Sequence, residues 1–559
     1  MSAFRKRVTQ LACRCPHSPV QSRTVVEPAR KSAVSYNLIP NEIIMTNPQP
    51  AKLEETLALL LQPFLSARLE NELYNKLMNY CTKQQDSDSH SLFELGRLHQ
   101  EGLGKCEKNL RKAKQLLEKS AELDHPKAMY HLCQLYGSQP SAAFTNIVSE
   151  TELIDMKVHW YIKSSAQALV YSNSGIELWN NYNASLAWRK AILAERTCLL
   201  NKISNKIYNS TEELGKILNQ VSYISLQLSK DDSGYKTAID GFESASRLGS
   251  RDAYWNLAAL VYHNCLGVDR DEEKKLQLMT QAADRGHVRA QFWLGEYLYS
   301  SSVGKEEQCK RALNYFKQSL RYPFASTLFW VGYGHLLGTG ASQDYALAMQ
   351  YFQLAVASSD YLFGVGNSSA CSWLAFMYIK GLGITPDYTL ASHYYAMAAK
   401  LGNRHSLNDL AKLIEKKKIS GCKLDVAIKL YNMAAGENKE DASTYYARYR
   451  LGKLYSNKCN GEIYNQAKGF EYYAQALYLL ESSISDETRS YRYYHLGIIY
   501  EKGYGTSVNY HHATKYYSLA RDAAAKVYDI LDRYYGKKAE KKLKTKFKYT
   551  EKESKQTTV

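Results

Sequence analysis

Proline, paired cysteines and long apolar runs are all scarce in this sequence. Eleven prolines are spread over 559 residues, so little obstructs helices, in whose interior a proline costs about 3 kcal/mol. The eleven cysteines are an odd number, run from Cys13 to Cys459 without a repeated short spacing, and include no Cys-x-x-Cys pair. That pattern excludes a zinc ribbon and a dithiol redox motif and suits a reduced compartment. No stretch approaches the roughly 20 apolar residues that a membrane-spanning helix needs.

The motifs of catalysis are missing as well. There is no Gly-x-x-x-x-Gly-Lys-Ser/Thr loop to cradle phosphates and no His-Glu-x-x-His to hold zinc. Gly102-Leu103-Gly104-Lys105 is not a phosphate loop, because no strand signal precedes it and the same Gly-x-Gly recurs elsewhere without lysine. His511 and His512 are adjacent, and neighbours on a helix diverge by about 100°, which makes a poor chelate. No catalytic, cofactor-binding or metal-binding residue is assigned, and a non-enzymatic chain is expected.

Acid is scarce at the two ends. The formal charge is +17, but residues 1–50 hold seven Lys/Arg against two Asp/Glu, and residues 537–559 hold nine against three. The long middle therefore carries only the modest charge of an ordinary solvated surface, which argues against nucleic acid along the body of the chain. In residues 1–35 no acid precedes Glu27, while Phe4, Val8 and Leu11 share a helical face beside Arg5, Lys6 and Arg7. An amphipathic, cationic, acid-poor opening without a long apolar centre predicts a mitochondrial presequence, with a basic arm of a cytoplasmic protein as the alternative.

What the sequence has in abundance is a repeat, together with 46 tyrosines. The first pattern is Ala, a bulky pair three and four residues on, and Ala or Ser at the seventh. It starts at Ala113, Ala312, Ala348, Ala391, Ala427 and Ala513. These offsets fall on one stripe of an α-helix, with small residues flanking a bulky pair. The second pattern is a helix anchored at Leu95, Leu132, Leu257, Leu294, Val331, Leu374, Leu410, Leu451 and Leu496. Four of these anchors are followed by a Gly-x-Gly turn, at Gly102 and Gly104, Gly338 and Gly340, Gly381 and Gly383, and Gly503 and Gly505. Such glycines supply positive φ for a sharp loop, so each unit reads as helix, turn, helix.

From Leu257 onward the anchors are spaced by 37, 37, 43, 36, 41 and 45 residues. With ELGRLHQEGLGKCEKNLRKAKQLLEKSAELDH from Glu94 and WLAFMYIKGLGITPDYTLASHYYAMAAKLG from Trp373, the chain resembles the Sel1-like repeat family of the tetratricopeptide superfamily. The resemblance implies an all-α, right-handed superhelical solenoid. Its expected parts are a basic arm or presequence over 1–35, a helical cap over 36–90, a Sel1-like repeat over 91–136, degenerate helical repeats over 137–235, the main array over 236–535 and a disordered Lys-rich tail over 536–559.

The resemblance also implies an adaptor rather than an enzyme, here expected to support assembly or maintenance of a mitochondrial protein complex in the matrix or at the inner membrane. The alternatives are an organellar RNA-binding repeat protein and a cytosolic regulator of a membrane enzyme. A protein partner is expected in the concave groove, the Lys tail is expected to touch an anionic membrane, RNA is carried as the alternative polyanion, and DNA is not expected. In tetratricopeptide solenoids the first helices line that groove beside the buried anchor. Offsets of −2, +2 and +5 from the anchors select Trp255, Tyr262, Phe292, Tyr299, Phe329, Tyr333 and Phe376, with polar ends at Arg97, Gln100, Lys453 and Glu501.

Overall fold

The computed structural model describes residues 60–84, 88–138, 150–167, 186–228, 232–262, 271–301, 306–358, 365–436, 442–482, 490–504, 506–525 and 530–546. Among these there is no strand, and 23 α-helices follow one another as antiparallel neighbours. A cap helix α1 (Ala67–Gln84) precedes α2 (Ser89–Glu101) with α3 (Leu110–Glu122), then α4 (Pro126–Ser138) with α5 (Glu150–Ala166). After α6 (Leu186–Ser204), α7 (Thr211–Leu228) pairs with α8 (Asp232–Arg247), and α9 (Arg251–Asn256), extended by a π turn over Leu257–Tyr262, pairs with α10 (Glu272–Asp284).

Next come α11 (Val288–Ser300) with α12 (Glu306–Gln318), α13 (Ala325–Leu337) with α14 (Tyr345–Ala357), and α15 (Val365–Lys380) with α16 (Tyr388–Lys400). The array continues as α17 (Arg404–Glu415) with α18 (Leu424–Ala435), α19 (Ala442–Tyr455) with α20 (Gln466–Ser482), and α21 (Ser490–Lys502) with α22 (Tyr510–Ala525). Helix α23 (Ile530–Lys546) closes it.

Each hairpin is set by its turn and its packing. The Gly-x-Gly residues among those described, Gly102, Gly104, Gly338, Gly340, Gly381, Gly383 and Gly503, have φ between +65° and +74°, which a Cβ would strain. Gly505 lies outside the described residues. The turn then delivers an Asn or Asp to the N-cap of the second helix: the side chains of Asn109, Asp344 and Asp387 accept from backbone N–H groups of the first turn. The backbone N–H of the same residue donates back to the first helix, from Asn109 to the His99 carbonyl at 2.8 Å, Asp344 to His335 at 2.9 Å and Asp387 to Tyr378 at 3.1 Å. One residue thus caps one helix and pins it to the other.

Above the turn, the nine anchors from Leu95 to Leu496 are all buried, and the six Ala residues that open the first pattern have no exposed surface. The residue after the anchor is small because the bulky pair of the partner helix presses on it. A Cβ on Gly332 would lie 3.0 Å from the Phe352 ring, and one on Gly497 only 2.6 Å from Tyr517.

The array also returns on itself. Arg97 on α2 donates to the carbonyl of Ala357 at 2.8 Å, 260 residues on, and Lys76 of α1 reaches Gln353 at 3.2 Å. The carbonyl of Phe64, at the start of the cap, sits 3.1 Å from Nδ1 of His393. Leu61, Phe64, Leu73, Leu77 and Cys81 therefore share one core with residues of α13 to α19. The cap covers the middle of the array as well as its first repeat.

Loops between repeats converge in the same way. Asp124 meets Gln167 Nε2 at 2.7 Å, Lys216 Nζ at 3.7 Å and Arg251 at 3.9 Å, and His287 Nε2 lies 3.1 Å from the Gln167 carbonyl.

At the far end the structure corrects the boundary of the Lys-rich tail. Helix α23 carries the chain well past 536, with Gly536 and Ala539 buried. Ala539 packs with Tyr494, Ala513, Tyr517 and Ala520, and Lys542 Nζ pairs with the buried Glu501 at 3.0 Å. Lysines that look like a solvated run are spaced so that Ala539 and Leu543, four apart, share one apolar face.

Candidate functional site

The selected aromatics sort into two groups. Tyr299, Phe329, Tyr333 and Phe376 belong to one continuous row. Tyr299 lies 4.9 Å from Trp330 and 6.3 Å from Tyr333, Phe329 stacks on Tyr333 at 5.7 Å, Tyr333 meets the edge of Trp373 at 5.1 Å, and Trp373 meets Phe376 at 5.3 Å. Phe292 flanks the row, packed on Phe316 and Phe324. Within the row Tyr333 is 6% exposed, whereas Tyr299, Phe329, Phe376 and Phe292 are partly buried. Tyr333 is therefore a wedge between helices, and its neighbours present the accessible ring surface.

Trp255 is elsewhere. It is 6% exposed, stacks on the His287 ring at 5.0 Å and carries the Arg289 guanidinium over its face. It belongs to the convergence of inter-repeat loops, where Asp252 is also buried. Burial pushes the Asp252 carboxyl up to about 6, against the pull of Arg251, and holds the His287 ring down to about 3. The Tyr262 side chain lies outside the described residues.

The polar ends do not form an open rim. Arg97 and Glu501 are buried, Arg97 between Glu94, Glu101 and the Ala357 carbonyl, and Glu501 between the Tyr517 hydroxyl and Lys542. Gln100 is engaged with His131 at 3.1 Å, and only Lys453 is exposed.

Three side chains of this face escape the aromatic selection. Trp330 and Trp373 precede their anchors by one residue, as does Trp293, and that recurrence in three successive units was the available signal. Glu296 lies at the +2 offset from Leu294, one turn from Phe292 and one from Tyr299. The Trp330 indole N–H donates to its Oε1 at 3.1 Å. Burial pushes the Glu296 carboxyl up to about 7, the Trp330 hydrogen bond acting against it.

Among the described residues no group of His, Cys, Asp and Glu is arranged to hold a metal ion, and no helix is long and apolar enough to cross a membrane. The aromatic row offers surface and hydrogen bonds, and it displays no nucleophile beside a base.

Helical hairpins locked by glycine turns and stacked through Leu anchors and Ala stripes define an all-helical solenoid of tandem Sel1-like repeats. Seven segments of the chain match the family described as "Sel1 repeat", at residues 89–125, 251–287, 288–321, 325–360, 368–403, 446–479 and 493–524. The hairpins α7 with α8 and α17 with α18 follow the same plan outside those matches. Sel1 repeat arrays generally act as protein-interaction scaffolds.

Among solved structures, c5321, a protective antigen of uropathogenic Escherichia coli with this repeat fold, is similar at 18% identity and a TM-score of 0.43, over 84% of this chain and 91% of that one. A Sel1 repeat protein from Oxalobacter formigenes is similar at 17% identity and a TM-score of 0.37, over 65% and 92%. Human IFIT1, in a dimer with m7Gppp-AAAA, is similar at 14% identity and a TM-score of 0.30, over 76% and 99%. No curated protein matches the chain in sequence.

Proposed function

We propose that this chain is a non-enzymatic adaptor that captures a protein segment along the first helices of its central repeats, in support of the assembly or maintenance of a mitochondrial protein complex. The observation that carries the binding reading is the row of partly buried rings on α11, α13 and α15. Tyr299, Phe329 and Phe376 are held by ring contacts yet keep part of their surface exposed, so they present rigid apolar surface at little entropic cost, as binding hot spots do. The mitochondrial part rests on the acid-poor, amphipathic residues 1–35. The Lys-rich end adds attraction to an anionic membrane surface.

The test is to purify the tagged full chain from cells with and without nuclease, beside a Phe329→Ala, Phe376→Ala double variant, and to locate a reporter carrying residues 1–35. A protein partner that survives nuclease and is lost with the double variant is the expected result, together with a reporter found in mitochondria. Partners that vanish with nuclease would replace the protein reading with an RNA one. A reporter that stays in the cytosol would overturn the address.

A further inference from the structure

Glu296 is an anomaly in the aromatic row. A carboxylate taken out of water is normally paired with a cation or held by several donors, because the charged form is expensive there. Carboxylates elsewhere in the fold follow the rule: Glu94 has Arg97, Glu501 has Lys542 and the Tyr517 hydroxyl, and Glu415 has Arg450 and Tyr431. Among the described residues, half-buried Glu296 has one partner, the Trp330 N–H, and no lysine, arginine or histidine within ion-pair distance. That single hydrogen bond occupies Oε1, which leaves the lone pairs of Oε2 for an outside donor.

Its surroundings have the complementary chemistry for a cation. On one side of Glu296 stands Tyr299, whose ring is 4.9 Å from the Trp330 indole; on the other, one turn back on the same helix, stands Phe292. The negative faces of aromatic rings attract an ammonium or guanidinium, and this attraction adds to a charge-assisted hydrogen bond where water is scarce. Trp330 itself is fixed, stacked on Phe316 at 5.6 Å with an interplanar angle of 1°, so the carboxylate is held in place before any partner arrives.

We propose that Glu296 is the receptor for a basic side chain of the bound segment, a lysine or arginine whose charged head meets Oε2 between Tyr299 and Phe292 while the flanking apolar residues of that segment lie along Phe329, Trp373 and Phe376. This rests on the protein-binding reading above and sharpens it. The occupant is a protein segment with one basic residue flanked by apolar ones. Coulomb energy between the carboxylate and an acidic residue at the same place would oppose binding, so the position also excludes acidic segments.

The experiment uses the full chain and its Glu296→Gln variant on arrays of degenerate twelve-residue peptides, each with one fixed position occupied by Lys, Arg, Leu, Ala or Glu. Glutamine keeps an acceptor for the Trp330 N–H and removes the charge, so the variant should melt at or above the temperature of the parent. The expected result is a preference for Lys or Arg at one position in the parent, lost in the variant with roughly tenfold weaker binding of the basic peptides, the size of one charge-assisted contact. Preferences for apolar residues should be equal in the two proteins.

A basic preference that persists in Glu296→Gln overturns the assignment, as does a variant that melts lower, which would make the carboxylate structural. Apolar preference without any basic one refutes the receptor while leaving the adaptor reading intact. Failure to retain any peptide refutes both.

Discussion

Replacing Arg97 by alanine should loosen the closure of the array rather than any single repeat. The guanidinium is 2% exposed; its Nε donates to Glu94 at 2.8 Å, Nη1 reaches Glu101 at 3.4 Å, and Nη2 donates to the Ala357 carbonyl at 2.8 Å. Truncation leaves the fully buried Glu94 without its cation and the Ala357 carbonyl without this donor. Breaking a buried pair from one side costs about 3–5 kcal/mol, and a deserted carbonyl adds about 1 kcal/mol or more. A repeat array does not unfold as one unit, so a single melting temperature would blur the effect, whereas hydrogen exchange resolves it by segment. A loss of about 3 kcal/mol corresponds to exchange faster by roughly a hundredfold. That acceleration is expected at Ala67–Gln84 and Tyr345–Ala357, with Tyr510–Ala525 unchanged. Replacing both partners, Glu94→Met with Arg97→Met, should recover most of the protection, because no charge is then stranded. Unchanged exchange at Tyr345–Ala357 in the single variant, or a double variant less protected than the single, would refute the reasoning.

Gly383→Val should destabilise its hairpin by several kcal/mol, since φ is +71° and the new Cβ would sit 2.6 Å from that of Tyr345, whereas Gly421→Ala, at positive φ but in open space, should cost only about 1 kcal/mol; chemical unfolding of the two variants decides. Tyr333→Ala should cost about 3–5 kcal/mol as a core truncation, and Phe376→Ala less than about 2 kcal/mol while weakening partner capture more, read by thermal unfolding and pull-down side by side. Burial holds His90, His287 and His495 down to about 3, so each contributes stability that is complete above the unfolded value near 6.5 and is lost as pH falls towards 3. His287→Asn, which can still cap the helix that begins at Val288, should therefore shrink the fall in melting temperature between pH 7 and pH 4; an unchanged pH profile would place the sensitivity elsewhere.

The hairpins were legible because their causes are local. Ala391 with its bulky pair Tyr394 and Tyr395, or Leu374 with Gly381 and Gly383 behind it, states within about 20 residues which face is buried and where the chain turns. The degenerate stretch over 137–235 was read only coarsely, and α7 within it pairs with α8 as a regular hairpin. Contacts between distant units were not legible. Arg97 and Glu501 look like groove polar residues from their offsets, yet one is buried by a carbonyl 260 residues away and the other by a lysine 41 residues away. Trp255 obeys the same offset rule as Phe292, and the convergence of inter-repeat loops takes it into the interior. Glu296 obeys the rule too, but a search for aromatic side chains passes over the one carboxylate whose environment is most telling.

The bond between Arg97 and Ala357 also sets a timetable. During synthesis at about 5–20 residues per second, the ribosome needs on the order of 10–50 s to supply the acceptor after the donor has been made. Until then the core that Leu73 and Leu77 of α1 share with α13 to α19 cannot form. The Glu94–Arg97 pair, three residues apart on one helix, can form at once and stay hydrated while the chain grows. The pair that finally locks the array would thus first serve to keep its newborn end in solution, and the protein would reach its closed shape only after residue 357 had cleared the exit tunnel.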